Sequence, residues 1–138
     1  MKNTTKLMIT TAVLAISAGI ASAQSLKADI PFSFQAGSRM LPAGEYTVRM
    51  TGTHGDVVVF RNAAAKETAI VLPAGTAYPS KEWKAAGNAV LSFECGTTRC
   101  ALTRMWTGES VAYTFRYSRP AGVERASITE VRLTRATE

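Results

Sequence analysis

The chain predicts an all-β fold, an antiparallel β-sandwich or small barrel of eight to nine short strands. Three observations carry that expectation. Apolar and polar residues alternate at period two in segment after segment, Gly- and Pro-containing turns separate those segments, and no stretch sustains a helical period. Strands of five to seven residues must pack as two layers or close on themselves to bury their apolar faces.

In chain order, residues 1–23 read as an export signal. Lys2 and Lys6 precede an apolar run from Leu7 to Ile20, and Ala21-Ser22-Ala23 supplies a small-x-small cleavage site. The run is too short, and too diluted by Thr10, Thr11, Ser17 and Gly19, to span roughly 30 Å of hydrocarbon. The remainder, 24–138, has the size of a single β domain. "ADIPFSF" directs Ala28, Ile30, Phe32 and Phe34 to one face, and Pro31, lacking an N–H, places this strand at a sheet edge or at a bulge. Pro42-Ala43-Gly44 makes a turn, after which Tyr46, Val48 and Met50 face one way and Thr47 and Arg49 the other. "THGD" turns into strands at Val57–Arg61 and Thr68–Leu72. The break 73–88 holds one short helix over 81–86, with Ser80 as N-cap and Gly87 closing it. Strands follow at Ala89–Glu94, Cys100–Trp106, Val111–Tyr117 and Ser127–Thr134.

Both cysteines of the chain fall in "VLSFECGTTRCALTRMW". With "GTTR" as a hairpin loop, Cys95 faces Cys100, within reach of a disulfide that an oxidising compartment would form. Counting outward pairs Phe93 with Leu102, Leu91 with Arg104 and Ala89 with Trp106. Arg104 then lands on the apolar face, so either its stem snorkels outward or a bulge shifts the register. Four intervening residues argue against a redox dithiol, and a single histidine, His54, argues against zinc.

At "DIPFSFQAGSRMLPAGEYTVRM" the chain resembles a family of small exported β proteins abundant in Acidobacteria, marked by IPF-x-F-x(2)-G…LPAG-x-Y-x-V. Its "LSFE…ALTRMW" hairpin is similar to that family's Leu-x-Phe…Leu-x(2)-Val-Trp segment, with Met105 replacing the aliphatic residue. The resemblance implies export and a β fold. It implies no catalytic residue, because the family carries no established activity. The cysteines flanking "GTTR" depart from the family's usual Tyr/Gly-Asp turn, so this hairpin is locked where relatives rely on packing.

Composition narrows the function classes. Without Lys2 and Lys6, fourteen basic residues stand against ten acidic ones, a mild and interspersed +4 that is no sign of a nucleic-acid partner. "VAYTFRYSR" places Val111, Tyr113, Phe115 and Tyr117 on one strand face, a pattern shared by stacking platforms for single strands and by core strands. An exported core strand is the simpler reading. His54 sits in a turn without a nucleophile partner, and the carboxylates are scattered rather than paired as glycosidase chemistry requires. The 73–88 loop is the best candidate for function. Tyr78, Lys81, Trp83 and Lys84 form a binding loop there, for sugars or a protein, unless Tyr78 and Trp83 fold down to close the sandwich. The strands are too short for an outer-membrane barrel. The sequence therefore reads as a non-enzymatic, secreted or periplasmic β domain, a binding or structural component of the bacterial cell envelope. Its partner would be an envelope protein or polysaccharide, with no metal, cofactor or nucleic acid and no transmembrane segment after cleavage. The alternative is a secreted hydrolase using surface carboxylates. Mass spectrometry of exported material is expected to show a chain beginning at Gln24; a retained Met1 would refute the leader.

Overall fold

The computed structural model describes residues 25–52, 57–118 and 127–136. Two sheets pack face to face as an open sandwich, with no closed barrel. Along the chain run β1 (Ser25–Ile30), β2 (Phe34–Ala36), β3 (Arg39–Leu41), β4 (Gly44–Thr51), β5 (Val57–Asn62), β6 (Glu67–Val71), β7 (Gly75–Ala77), α1 (Lys81–Ala86), β8 (Val90–Cys95), β9 (Cys100–Trp106), β10 (Ala112–Thr114), β11 (Ser127–Arg132) and β12 (Thr134–Arg135). The first sheet has the order β12-β1-β4-β5-β6. The second runs β11-β8-β9-β10-β7, and the β2-β3 hairpin joins it where β2 pairs in parallel with β9.

Twelve strands stand among the described residues where eight or nine were expected: the chain changes sheets inside two segments that read as continuous, and two three-residue strands, β3 and β7, form where none was expected. Residues 28–34 are not one strand. β1 ends at Ile30, Pro31–Ser33 crosses between the layers, and β2 begins in the opposite sheet. Nor does Pro31 mark an edge. β1 lies between β12 and β4, and its ladder with β4 ends at Ile30 opposite Gly44, one residue before the missing N–H would be needed. Residues 127–134 divide likewise at buried Leu133, whose N–H donates to the Ala89 carbonyl (2.9 Å) as the chain passes from the second sheet to the first. The expected strand 111–117 shrinks to Ala112–Thr114. It shares the β9 edge with β2, which already occupies Cys100 and Ala101.

The core lies between the sheets. Alternation along β4 buries Tyr46 and Val48, and along β5 it buries Val58 and Phe60. Opposite them sit Leu91, Phe93, Leu102 and Met105. Phe34 enters from the crossover and meets Tyr46, Phe60 and Phe93 edge-on, at ring centroid distances of 5.2, 6.2 and 5.4 Å. Tyr46 closes the Pro42 turn by donating its hydroxyl to the Pro42 carbonyl (2.5 Å). Burial raises its phenol above the usual tyrosine value, a hydrogen bond with Asn62 lowers it, and nearby Glu67 adds to the rise. Gly44 is required where it stands, since a Cβ there would meet the Asn62 amide nitrogen at 2.7 Å. Turn "THGD" and His54 lie outside the described residues.

The cysteines are bonded. Cys95 faces Cys100 with Cα atoms 4.0 Å apart, and Gly96 N–H donates to the Arg99 carbonyl (2.8 Å) to close the loop. Phe93 opposes Leu102, but beyond that pair the expected register fails. Leu91 opposes Met105 rather than Arg104, and Val90 rather than Ala89 opposes Trp106. A bulge leaves Thr103 as the extra residue of β9. Its hydroxyl donates to the Ser92 carbonyl (3.1 Å) and its own carbonyl accepts from Phe115 N–H (2.9 Å). The insertion reverses the faces, so Leu102 and Met105 both point into the core while Arg104 and Trp106 point out. Urea melts are expected to show that reducing the disulfide costs about 2 kcal/mol, since it closes a short loop. Phe34→Ala should cost about 3–5 kcal/mol. A reduced protein that unfolds outright would show that the disulfide holds more than its hairpin.

Candidate functional site

Two outward surfaces carry concentrations of functional groups, one on each sheet. On the second sheet, the 73–88 segment begins with a strand the sequence did not reveal. β7 pairs with β10, Ala112 opposite Ala77. Ser80 then accepts the Trp83 N–H (3.2 Å) to start α1, and Gly87, left-handed at φ 68°, returns its own N–H to the Trp83 carbonyl (3.0 Å). The helix exists to present one side chain. Trp83 is buried, stacks on Trp106 (6.5 Å, 17° between planes), donates its indole N–H to Glu130 (2.8 Å), and carries the Arg104 guanidinium over its face at 5.7 Å. Trp106 is anchored in turn by donation to the Glu109 carbonyl (2.8 Å).

Burial divides the four residues of the expected binding loop. Trp83 caps the outer face of the second sheet, while Lys81, Lys84 and Tyr78 are exposed, Tyr78 at 86%. The cap explains why β8 is buried on both faces, Val90, Ser92 and Glu94 lying on its outer side. Glu94 receives the Tyr117 hydroxyl. Tyr113 and Phe115 pack on the main core, so the aromatic face of 111–117 does not form a platform. Beside the cap runs a cleft of about 370 Å³ lined by Glu82, Trp83, Ala86, Asn88, Ala89, Val90, Glu130 and Arg132. It holds two carboxylates, but Glu130 is already committed to the indole.

The outer face of the first sheet forms a larger groove, about 760 Å³, lined by Ser25, Thr47, Arg49, Val59, Arg61, Ala63, Lys66 and Thr68. Register places them together. Ser25 and Val59 flank Arg49, and Thr47 and Thr68 flank Arg61. Lys66 reaches the end of the groove from the β5–β6 turn, where Asn62 accepts the Ala65 N–H (3.1 Å) and Lys66 itself is left-handed at φ 52°. Among the described residues, the groove lining contains three cations, three hydroxyls and no carboxylate. Nearby on the same face, Lys27 is neutralised by Glu45 (3.2 Å). Arg49, Arg61 and Lys66 have no such partner among the described residues. Sequence reasoning singled out none of these three. The only signal was the outward alternation of Thr47 and Arg49, which means little until the register sets Arg61 opposite Thr47.

No group of three or more His, Cys, Asp or Glu positioned for a metal occurs among the described residues, and none of their helices is long and apolar enough to cross a membrane. Trp83→Ala is expected to cost roughly 3 kcal/mol or more in a urea melt, as buried tryptophans do. Tyr78→Ala should stay within about 0.5 kcal/mol. A near-neutral Trp83→Ala would refute its role as a structural cap.

Comparison with protein-family models, with curated proteins and with solved structures finds no match to this chain.

Proposed function

We propose that the chain is an exported, non-enzymatic β domain serving as a binding component of the bacterial cell envelope. The carrying observation is the groove on the first sheet. It is concave, open and cationic, and among the described residues its lining holds no carboxylate and no histidine for acid–base chemistry at neutral pH. Its cations stand mostly on paired strands rather than on loops, which favours recognition by a rigid surface. The leader-like residues 1–23, the disulfide and the resemblance to exported β proteins support placement in an oxidising compartment.

A second reading, a secreted hydrolase, rests on Glu82 and Glu130 lining one cleft. It ranks lower because Glu130 holds the indole of Trp83, so its carboxylate already has a structural task. One experiment separates the two. The exported chain, incubated with purified envelope polysaccharide, is expected to co-sediment with it and to be released as salt rises, without new reducing ends appearing. Catalytic release of reducing ends would replace binding with hydrolysis, and no retention at low salt would refute the proposal.

A further inference from the structure

We propose that the groove on the first sheet binds an acidic polysaccharide, its carboxylates taken by Arg49, Arg61 and Lys66 and its hydroxyls by Ser25, Thr47 and Thr68. This rests on the binding reading above and assigns it a place and a ligand class. The charge pattern is the first argument. Arg49 and Arg61 occupy diagonal positions on neighbouring strands, about 7–8 Å apart at Cα. Like charges so placed repel, and no carboxylate among the described residues pairs with either or lines the groove. An anion between them removes that repulsion. A guanidinium fork matches a carboxylate in two parallel hydrogen bonds, which a lysine at either position would not supply.

The shape of the groove selects the kind of anion. Its lining spans β1, β4, β5 and β6, roughly 14 Å across at ordinary strand spacing. The cations follow one another from Arg49 on β4 to Arg61 on β5 and Lys66 in the β5–β6 turn beyond it, a row that matches a chain of repeating acidic units better than one small anion held between Arg49 and Arg61. A bilayer surface does not fit into a concavity. Hydroxyls alternate with the cations, and Val59 on the floor offers an apolar patch to the C–H face of a sugar ring. No aromatic side chain among the described residues lines the groove, which disfavours stacking of bases as the recognition mode.

The test titrates the exported chain at low salt with oligogalacturonate, using neutral dextran, inorganic phosphate, polyglutamate and anionic phospholipid vesicles as comparison probes. Oligogalacturonate is expected to bind best and to lose affinity with salt. R49Q/R61Q should weaken it at least tenfold with the urea midpoint unchanged, and K66Q alone should weaken it severalfold should the double variant fold poorly. K81Q/K84Q, on the helix that covers the second sheet, should bind as the unaltered chain does. Equal binding by R49Q/R61Q and K66Q, or loss in K81Q/K84Q instead, would overturn the assigned site. Preference for vesicles, polyglutamate or phosphate would overturn the ligand class. If envelope polysaccharide retains the chain while oligogalacturonate does not bind, this inference fails and the binding reading stands.

Discussion

Phe34 touches both sheets at once, and the relation between the layers depends on where it sits. Its ring packs against Tyr46 and Phe60 of the first sheet and Phe93 of the second, while its backbone is paired on both sides, to Leu41 in β3 and to Cys100 in β9. The disulfide acts at that junction. By fixing Cys95 against Cys100 it fixes the end of the β8–β9 hairpin on which β2 docks, and β11 closes the other flank with Ser127 opposite Cys95. A one-residue slip of β2 along β9 would turn Phe34 out of the core. A bond that contributes little global stability thus fixes the hairpin end beside which the residue that joins the sheets is paired.

The Thr103 bulge sets the next level of organisation. Without the inserted residue, alternation from Leu102 would carry Arg104 into the core and Met105 out of it. With it, Met105 joins the core and Arg104 and Trp106 stand on the outer face. That creates the platform on which Trp83 rests, with Glu130, Ser92 and Arg104 aligned across three strands beneath it. The helix of the 73–88 segment is therefore a cover for the apolar patch of Val90, Trp106 and Ala112 on that outer side.

Strand content, the helix with both its caps and the Cys95–Cys100 pair were legible because each depends on neighbours in sequence: alternation, a Ser three residues before Trp83, a Gly after Ala86, a short loop between cysteines. The sheet corners were not. Ala28, Ile30, Phe32, Phe34 and Ala36 keep facing the same core while the chain crosses from one layer to the other, so an unbroken period of two concealed the change of partner at Pro31. The bulge was visible only as a misfit, Arg104 on an apolar face, and its position needed the pairing itself. The cationic groove was hidden for a similar reason. Arg49, Arg61 and Lys66 are unremarkable along the chain and converge only through the antiparallel register of β4, β5 and β6.

The two outer faces consequently have different physical roles. On the second sheet, the groups around the cap are used internally: indole to carboxylate, guanidinium to ring, tyrosine hydroxyl to Glu94. Such a surface is already satisfied and gains little from a ligand, since any new contact must first displace an existing one. On the first sheet, Arg49 and Arg61 are held on paired strands, and Lys66 in a turn braced by Asn62. Their scaffold is ordered before any ligand arrives, which lowers the conformational cost of association. Charge left uncompensated on an ordered scaffold is what the proposed binding role would use and what a purely structural face does not need.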